Sequence, residues 1–335
     1  MFTEGTVSFR EAKPLLEKCG LYPVDCAELR IGIWDAQDEL AATGALVGDM
    51  LQMIAVDPVW QGENLASRVV SALIREAGLR GRSCVYMIAK RQSAGMFADM
   101  GFRQVAVTQT AVLLEWGSPG IEAHCALLRQ YTGEGRTGCV VMNANPFTRG
   151  HRHLIEQACA VCDRVFVLAV EEDRSEFPFA VRLALIRAGT ADLPQVTVLP
   201  GSRYAISALT FPSYFVRDAE KARAESELDA ELFGRYLAPA LGVTDRFVAE
   251  EPFSPSTAVY NETLLRVLPR YGIAVHRIDR LTVDGRAVSA TEVRGLLAAG
   301  KAEEVRPLVP QTTWDWIAAH RSEAEQTCRK HDRRP

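Results

Sequence analysis

The 335-residue sequence has no uninterrupted apolar stretch long enough to cross a membrane, although 48% of its residues are hydrophobic. A transmembrane helix needs about 18 consecutive apolar residues, so none is predicted. The sequence also lacks a basic excess, because its formal net charge is −4 and residues 1–134 hold 12 Lys and Arg against 16 Asp and Glu. Proteins that bind nucleic acid concentrate positive charge, and this balance argues against such a partner.

Cysteine is sparse for a chain of this length, with eight scattered residues. This argues against a disulfide framework and predicts a reducing, cytoplasmic compartment. The N-terminal segment is too charged for the apolar core of a signal peptide, which agrees with that location. Cys159 and Cys162 have the CxxC spacing of metal or redox sites. They lie in an amphipathic helical pattern without a second such pair, and we interpret them as a small apolar helix face.

The length suggests about two domains, because a typical domain has about 150 residues. The N-terminal part has a mixed α/β pattern. Strand patterns at 51–56 and 83–89 alternate with helical patterns at 64–79 and 93–100, and a long β-rich run covers 105–116.

Two glycine-containing segments can separate this part from the rest, at 117–120 and 131–138. We place the predicted domains at 1–131 and 132–335. In the second domain, continuous apolar strands alternate with helices, which predicts a doubly wound parallel sheet. The strands are predicted at 139–142, 165–170, 196–199, 246–249 and 274–278. The helices are predicted at 149–162, 180–189, 218–240, 258–270, 291–299 and 311–322.

The strongest functional pattern follows the first strand of the second domain. That strand ends at Met142, a polar turn with Pro146 follows, and a helix begins after Thr148. Open parallel sheets bind ligands at this place, where the N–H groups of a helix N-terminus suit phosphate. Thr148 can cap the helix and donate to a phosphate, Gly150 leaves room for a base or ribose, and His151 can donate to an α-phosphate or leaving pyrophosphate. The alternative is an ordinary capped helix with a histidine that has no function.

A second pattern lies about 140 residues later, at 288–294 (VSATEVR). Ser289 can cap a helix and form a capping box with Glu292, which is the purely structural interpretation. The functional interpretation adds Arg294, one turn further on, as a cation for the β- and γ-phosphates. The adjoining segment 295–301 fits GxxxxGK, but it lacks a preceding strand and a following Ser or Thr, so we reject a P-loop.

These two patterns carry a family resemblance. Residues 148–151 (TRGH) resemble the (H/T)xGH signature of the nucleotidylyltransferase superfamily, and residues 288–294 resemble its ISSTxxR motif. The sequence is closely similar to the citrate lyase ligase family within that superfamily. The segments that carry this similarity are 143–157, 172–179, 202–214, 251–253 and 260–261.

That family also has an N-terminal GNAT-type acetyltransferase-like domain. Residues 61–66 (QGENLA) resemble the loop with which that domain holds a coenzyme A pyrophosphate on backbone N–H groups. Asn64 stands where the loop pattern has glycine, and asparagine tolerates left-handed dihedral angles better than most residues. The alternative is a β–loop–α corner without a ligand. The resemblance implies contacts to a carrier arm or coenzyme A from Gln61, Gly62, Asn64 and Ala66.

The resemblance implies a GNAT-like α/β domain followed by a Rossmann-like nucleotidylyltransferase domain. It further implies that ATP and acetate form acetyl-adenylate and pyrophosphate, with Mg²⁺ bridging phosphates. The thiol on the acyl carrier subunit of citrate lyase then takes the acetyl group and AMP leaves. Two alternatives are an adenylyltransferase that acts on phosphopantetheine or a mononucleotide, and a nucleotide-sensing scaffold without turnover.

The resemblance also implies residue roles. The catalytic residues would be Thr148, His151, Ser289, Thr291 and Arg294. The ATP-binding residues would be Met142, Asn143, Ala144, Asn145, Pro146, Phe147, Gly150 and Arg174. No metal site made by the protein alone is predicted, and His153 is expected to be exposed and incidental. Further strand-end residues are either phosphate or carboxylate contacts or parts of solvated loops, namely Arg174, Ser175, Arg203, Tyr204 and Ser207.

Overall fold

The computed structural model of the chain describes residues 1–171, 175–205, 218–250 and 255–332. They form two compact units. The first contains Met1–Leu127 and a stretch that ends at Glu231, and the second contains the remaining described residues. The predicted domain boundaries stay a prediction. No helix in the described ranges combines the length and the apolar character of a membrane span.

The first unit contains a seven-stranded mixed sheet. Its strands are β1 (Thr3–Thr6), β2 (Leu29–Trp34), β3 (Leu40–Val47), β4 (Met50–Val56), β5 (Cys84–Lys90), β6 (Arg103–Val107) and β7 (Ala111–Gly117). They are arranged in the order β1-β2-β3-β4-β5-β7-β6. Every pairing is antiparallel except that of β4 with β5, which are paired in parallel only at Met50 and Tyr86. The predicted β-rich run at 105–116 is therefore a hairpin of two strands.

Helices cover this sheet with two separate sets of apolar side chains. The helices are α1 (Phe9–Lys18), α2 (Leu65–Leu79), α3 (Ala94–Asp99) and α4 (Ile121–Leu128). Leu16 of α1 packs in one buried cluster, and Val69 and Leu73 of α2 pack in another. A side chain at Gly44 of β3 would lie 2.6 Å from Val69 Cγ1, so glycine permits the close approach of α2. The strands within residues 1–50 are rich in alanine and glycine and lack a clear alternation of apolar and polar residues. For this reason, the elements of residues 1–50 were not predicted.

The second unit contains the parallel sheet that the sequence predicts. Its strands are β8 (Thr137–Met142), β9 (Arg164–Ala169), β10 (Val196–Pro200), β11 (Asp245–Ala249) and β12 (Ala274–Ile278), followed by a small hairpin of β13 (Thr282–Val283) and β14 (Arg286–Ala287). The sheet order is β10-β9-β8-β11-β12, and all four pairings are parallel. The strand order reverses between β8 and β11, which is the switch point where open sheets of this class bind ligands.

The remaining helices follow the predicted alternation with two differences. They are α5 (Arg149–Cys159), α6 (Phe179–Gly189), α7 (Asp218–Leu232), α8 (Ala238–Leu241), α9 (Pro255–Val267), α10 (Ala290–Ala298), α11 (Gln311–Ala319) and α12 (Arg321–Asp332). The helix predicted at 218–240 contains a π-helical segment, Phe233–Leu237, between α7 and α8. The helix predicted at 311–322 is two helices, because the backbone of His320 leaves the helical region between them.

At the beginning of the parallel strands, the buried carboxylate of Asp245 forms hydrogen bonds with side chains from three segments. Asp245 is 2% exposed and accepts hydrogen bonds from Arg136 Nε at 2.9 Å and Arg136 Nη2 at 2.6 Å. Its carboxylate also accepts from Thr244 Oγ1 at 2.7 Å and lies 2.6 Å from His276 Nε2. These hydrogen bonds, that of Arg136 above all, hold the pKa of Asp245 well below its usual range. The cluster therefore fixes β8, β11 and β12 at the end opposite to the predicted site.

Candidate active site

The turn after β8 is held by its own backbone and by a segment that precedes α6. Ala144 has a left-handed backbone with φ of 49°, and the peptide bond from Asn145 to Pro146 is cis. The side-chain oxygen of Asn145 accepts from the backbone N–H of Phe177 at 3.0 Å, and its amide nitrogen donates to Glu176 at 2.5 Å. The turn predicted to bind ATP is therefore a fixed structure with buried side chains.

Thr148 and His151 form a capping box at the start of α5. The backbone N–H of His151 donates to Thr148 Oγ1 at 3.3 Å, and the backbone N–H of Thr148 donates to His151 Nδ1 at 3.0 Å. The Thr148 hydroxyl lies 2.9 Å from the same ring nitrogen. Because an amide N–H can only donate, Nδ1 is the unprotonated nitrogen, and the neutral ring carries its proton on Nε2. Thr148 thus positions His151, in addition to its predicted role at a phosphate.

The imidazole of His151 is kept neutral by its surroundings. Its ring stacks on the buried Phe147 with 5.9 Å between the ring centroids. Burial, followed by the positive charges of Arg280 and Arg294, lowers the pKa of His151 to about 4. At neutral pH the Nε2–H group is therefore a hydrogen-bond donor without a full positive charge.

The second motif lies beside the first. Ser289 caps α10 by accepting from the backbone N–H of Glu292 at 3.0 Å. Arg294 Nη1 donates to the backbone carbonyl of Asn145 at 2.7 Å, and Arg294 Nε pairs with Glu176 at 3.0 Å. Thr291 is exposed and accepts from Arg294 Nη2 at 3.4 Å. Arg294 is therefore bound to both the first turn and a carboxylate that sequence reasoning missed.

Gly150 permits the close approach of the two motifs. A side-chain carbon at this position would lie 3.1 Å from the carbonyl oxygen of Val288, immediately before Ser289. The absence of a side chain at Gly150 is predicted to leave room for a base or ribose. The contact with Val288 supplies a second reason, which is the packing of α5 against the start of α10.

Both motifs line one small cavity of about 90 Å³ at the carboxyl end of the sheet. Thr148, Gly150, His151 and Ser289 face it, together with Arg280, which sequence analysis did not select. His153 lines it as well, and it is half-buried rather than exposed as expected. Burial lowers the pKa of Arg280, whose Nε donates to the backbone carbonyl of Glu250 at 2.9 Å.

A third residue that the sequence did not indicate, Arg182, binds the backbone just beyond the ends of β8 and β9. It is fully buried in α6, and its guanidinium donates to three carbonyl oxygens. Those bonds reach Asn143 at 2.7 Å, Val170 at 3.0 Å and Phe177 at 3.0 Å. An arginine inside the otherwise apolar helix pattern FAVRLALI is the signal that could have identified it, because a buried guanidinium requires several acceptors.

Some of the other predicted positions are described by the structure, and some lie outside its described ranges. Met142 ends β8 with a buried side chain, and Asn143 donates to Ser175 Oγ at 3.1 Å. Tyr204 is buried, and Arg174 and Ser207 lie outside the described residues.

The CxxC cysteines fit the apolar interpretation, because burial raises the pKa of Cys159 and raises that of Cys162 to about 11. Across the described part of the chain, no three His, Cys, Asp or Glu side chains are grouped to hold a metal ion.

The first unit has a separate cleft of about 790 Å³, where β4 and β5 diverge beyond their single paired position. Gln61, Gly62, Asn64 and Ala66 line it together with apolar residues of both strands. Asn64 has a left-handed conformation, which asparagine tolerates, with φ of 56°, and it directly precedes α2. The N-terminus of α2 and Lys90 add positive potential to this cleft.

Comparison with known proteins agrees with this arrangement. A family model described as the citrate lyase ligase C-terminal domain matches residues 137–317. The [Citrate [pro-3S]-lyase] ligase of Escherichia coli (strain K12) is 38% identical over 288 residues, which cover 84% of this chain and 82% of that protein. The protein of the same name from Klebsiella pneumoniae is 38% identical over 310 residues, which cover 90% of each chain.

A solved structure similar to this chain is the ribosomal-protein-S18-alanine N-acetyltransferase from Escherichia coli. It is 18% identical, covers 36% of this chain and 97% of its own, and has a TM-score of 0.30. The extent of the sequence matches determines the family. This chain belongs to the citrate lyase ligase family and is a ligase.

Proposed function

We propose that this chain activates acetate with ATP and transfers the acetyl group to the phosphopantetheine-type thiol on the acyl carrier subunit of citrate lyase. The observation that carries the proposal is the connection of the two nucleotide motifs through Arg294, which donates to the carbonyl of Asn145. That bond brings a cation, a helix N-terminus and a neutral histidine to one strand end, and this combination suits a triphosphate. The names of the similar ligases support citrate lyase as the partner.

In the first step, a carboxylate oxygen of acetate attacks the α-phosphorus of ATP. The bond to the bridging oxygen breaks, and pyrophosphate leaves with the electron pair. Acetate is a weak nucleophile, so the rate depends on positioning and on stabilisation of the charge that passes to pyrophosphate. His151 would donate from Nε2 to the α-phosphate or the leaving group. Arg294 would bind the β- and γ-phosphates. These phosphates would compete with Glu176 for the Arg294 guanidinium.

In the second step, the carrier thiol attacks the carbonyl carbon of acetyl-adenylate. The bond from that carbon to the AMP oxygen breaks, a thioester forms, and the thiol proton is released to solvent. Mg²⁺ would neutralise charge on the phosphates of bound ATP, as it does in most sites of this chemistry. The described part of the chain offers no cluster of its own ligands for it, and the roles proposed here belong to the chain's side chains.

The cleft of the first unit is the proposed binding place of the carrier arm. The αL residue Asn64 and the following N–H groups of α2 can receive a phosphate of the arm, and the apolar walls from β4 and β5 can receive the pantetheine chain. Lys18 and Lys90 also line this cleft, and their charge suits the same phosphate. This assignment concerns binding alone and leaves the activation step to the second unit.

Acetate-dependent exchange of labelled pyrophosphate into ATP, measured without carrier, tests the proposal. Exchange that requires acetate is expected, because the first step is reversible when acetyl-adenylate stays bound. If exchange requires phosphopantetheine or a mononucleotide instead of acetate, the chain is an adenylyltransferase and the proposal is wrong. If exchange appears only when carrier and acetate are both present, adenylate formation depends on the carrier and the proposal holds.

A further inference from the structure

Arg280 lies at the carboxyl end of the parallel sheet, two residues after β12 ends. Its Nε atom donates to the carbonyl oxygen of Glu250, the residue that follows β11, at a distance of 2.9 Å. This bond directs the side chain across the ends of two neighbouring strands. The carboxyl ends of parallel strands are where open sheets of this class bind their ligands.

The same side chain forms part of the wall of the cavity that holds both nucleotide motifs. His151 and Ser289 face that cavity from α5 and from the start of α10, and the carboxylate-bearing Asp279 lines it beside Arg280. Arg280 is also close enough to His151 to contribute to its lowered pKa. The cavity thus combines a guanidinium, a neutral imidazole donor and a helix N-terminus, which favour an oxyanion, with the carboxylate of Asp279, whose charge opposes one.

The two other arginines described at this site, Arg294 and Arg182, lie outside the lining of this cavity. Arg294 pairs with Glu176 and binds the Asn145 carbonyl, and Arg182 is buried on three carbonyl oxygens. Arg280 is only partly buried and faces the cavity that contains His151. Among the arginines in the described part of the chain, Arg280 alone lines this cavity.

We propose that Arg280 is a substrate-binding residue that holds an oxyanion of the reactants in the cavity beside His151. That oxyanion is either the carboxylate of acetate or a phosphate of ATP. The inference rests on the proposed function, and it names a residue that neither nucleotide motif contains. A guanidinium suits both oxyanions because its parallel N–H groups can bind two oxygens at once.

The test uses the full-length protein with Arg280→Gln and Arg280→Lys. Arg277→Gln is the matched control, because Arg277 lies on the same segment, is 52% exposed and pairs with Glu250 at 3.5 Å. Pyrophosphate exchange gives KM for acetate and for ATP, and calorimetry gives the Kd of ATP without turnover. Thermal unfolding shows whether each variant is folded.

We expect Arg280→Gln to raise one of the two KM values about 10- to 100-fold, as the loss of a charged hydrogen bond does. A rise in KM for acetate assigns the carboxylate, and a rise in both KM and Kd for ATP assigns a phosphate. Values within twofold of wild type in both folded Arg280 variants overturn the proposal. If the wild type shows no acetate-dependent exchange either with or without carrier, the proposed function fails separately, and the Kd of ATP alone decides the role of Arg280.

Discussion

Arg294 donates a hydrogen bond of 2.7 Å to the backbone carbonyl of Asn145, a residue 149 positions earlier in the chain. The same guanidinium pairs with Glu176, whose carboxylate also accepts from the Asn145 side chain. The two nucleotide motifs are therefore joined by one arginine and one carboxylate. This arrangement fixes the guanidinium beside the turn, and in the proposed function the phosphates of ATP would take the place of Glu176 on it.

Replacement of Arg294 should reduce activation of acetate more than it reduces stability. Arg294→Ala is expected to lower the exchange rate about 10²- to 10³-fold, the range for loss of one charge-stabilising donor. Arg294→Lys retains the charge but cannot bind the Asn145 carbonyl and Glu176 together, so we expect an intermediate loss. The exchange rate at saturating ATP is the measurement, with Arg286→Ala as an exposed control. Equal rates in the wild type and Arg294→Ala would exclude a role at the phosphates.

The capping box predicts the protonation state of His151. Because Nδ1 accepts from the backbone N–H of Thr148, the proton should be on Nε2, and the ring should titrate near pH 4. Nitrogen-15 NMR of labelled histidine reads both properties directly. The folded-state pKa is below the unfolded value of about 6.5, so the unfolded chain takes up the proton first. Stability should consequently fall as pH decreases from about 6.5 towards 4, and it should be unaffected by this residue above pH 7.

The donor role of His151 makes a separate kinetic prediction. His151→Ala should lower turnover about 10²- to 10³-fold at saturating ATP, because a transition-state donor is lost while the fold remains intact. His320→Ala serves as the matched control, since His320 is exposed at the end of α11. A decrease of less than tenfold in His151→Ala would remove this residue from the catalytic role.

The local patterns of the sequence predicted the parts of the site that are close in the chain. The strand, turn and capped helix around Thr148 depend on neighbours within a few residues, and the tolerance of Asn64 for its left-handed conformation is a property of one residue. Arg280 and Glu176 were missed because their roles arise only when segments distant in sequence meet at the carboxyl end of the sheet. The parallel sheet itself was predictable, since apolar runs of strand length alternate with helical patterns in this part of the sequence.

The proposed cleft for the carrier arm can be tested by adding one negative charge. Ser67 lines the cleft in the first turn of α2, and Ser71 lies one turn later on the exposed side. A glutamate in the first turn is compatible with the helix dipole, so Ser67→Glu should fold normally. It should raise KM for the carrier about tenfold by repelling a phosphate, while acetate-dependent exchange without carrier is unchanged. If Ser71→Glu has the same effect on KM, the charge acts at long range and the cleft is not the binding place.

Removal of the buried carboxylate of Asp245, at the beginning of the parallel strands, should destabilise the fold without a direct effect on the reaction. Asp245→Asn removes the negative charge and one of the two oxygens that accept from Arg136, and it should lower the free energy of unfolding by about 1–3 kcal/mol, the range for a buried hydrogen-bonding group left without its partner. Asp192→Asn is the control, because that carboxylate is 63% exposed in its pair with Arg152 and should contribute little. Urea unfolding of both variants measures the difference.

The stabilisation by Asp245 should also depend on pH. Since the pKa of Asp245 is depressed in the folded state, the stabilisation of the fold by its carboxylate is present above the unfolded pKa and is lost as pH falls. The gap between Asp245→Asn and the wild type should therefore be largest near pH 7 and shrink in acid, and a gap that does not depend on pH would contradict the ionic account.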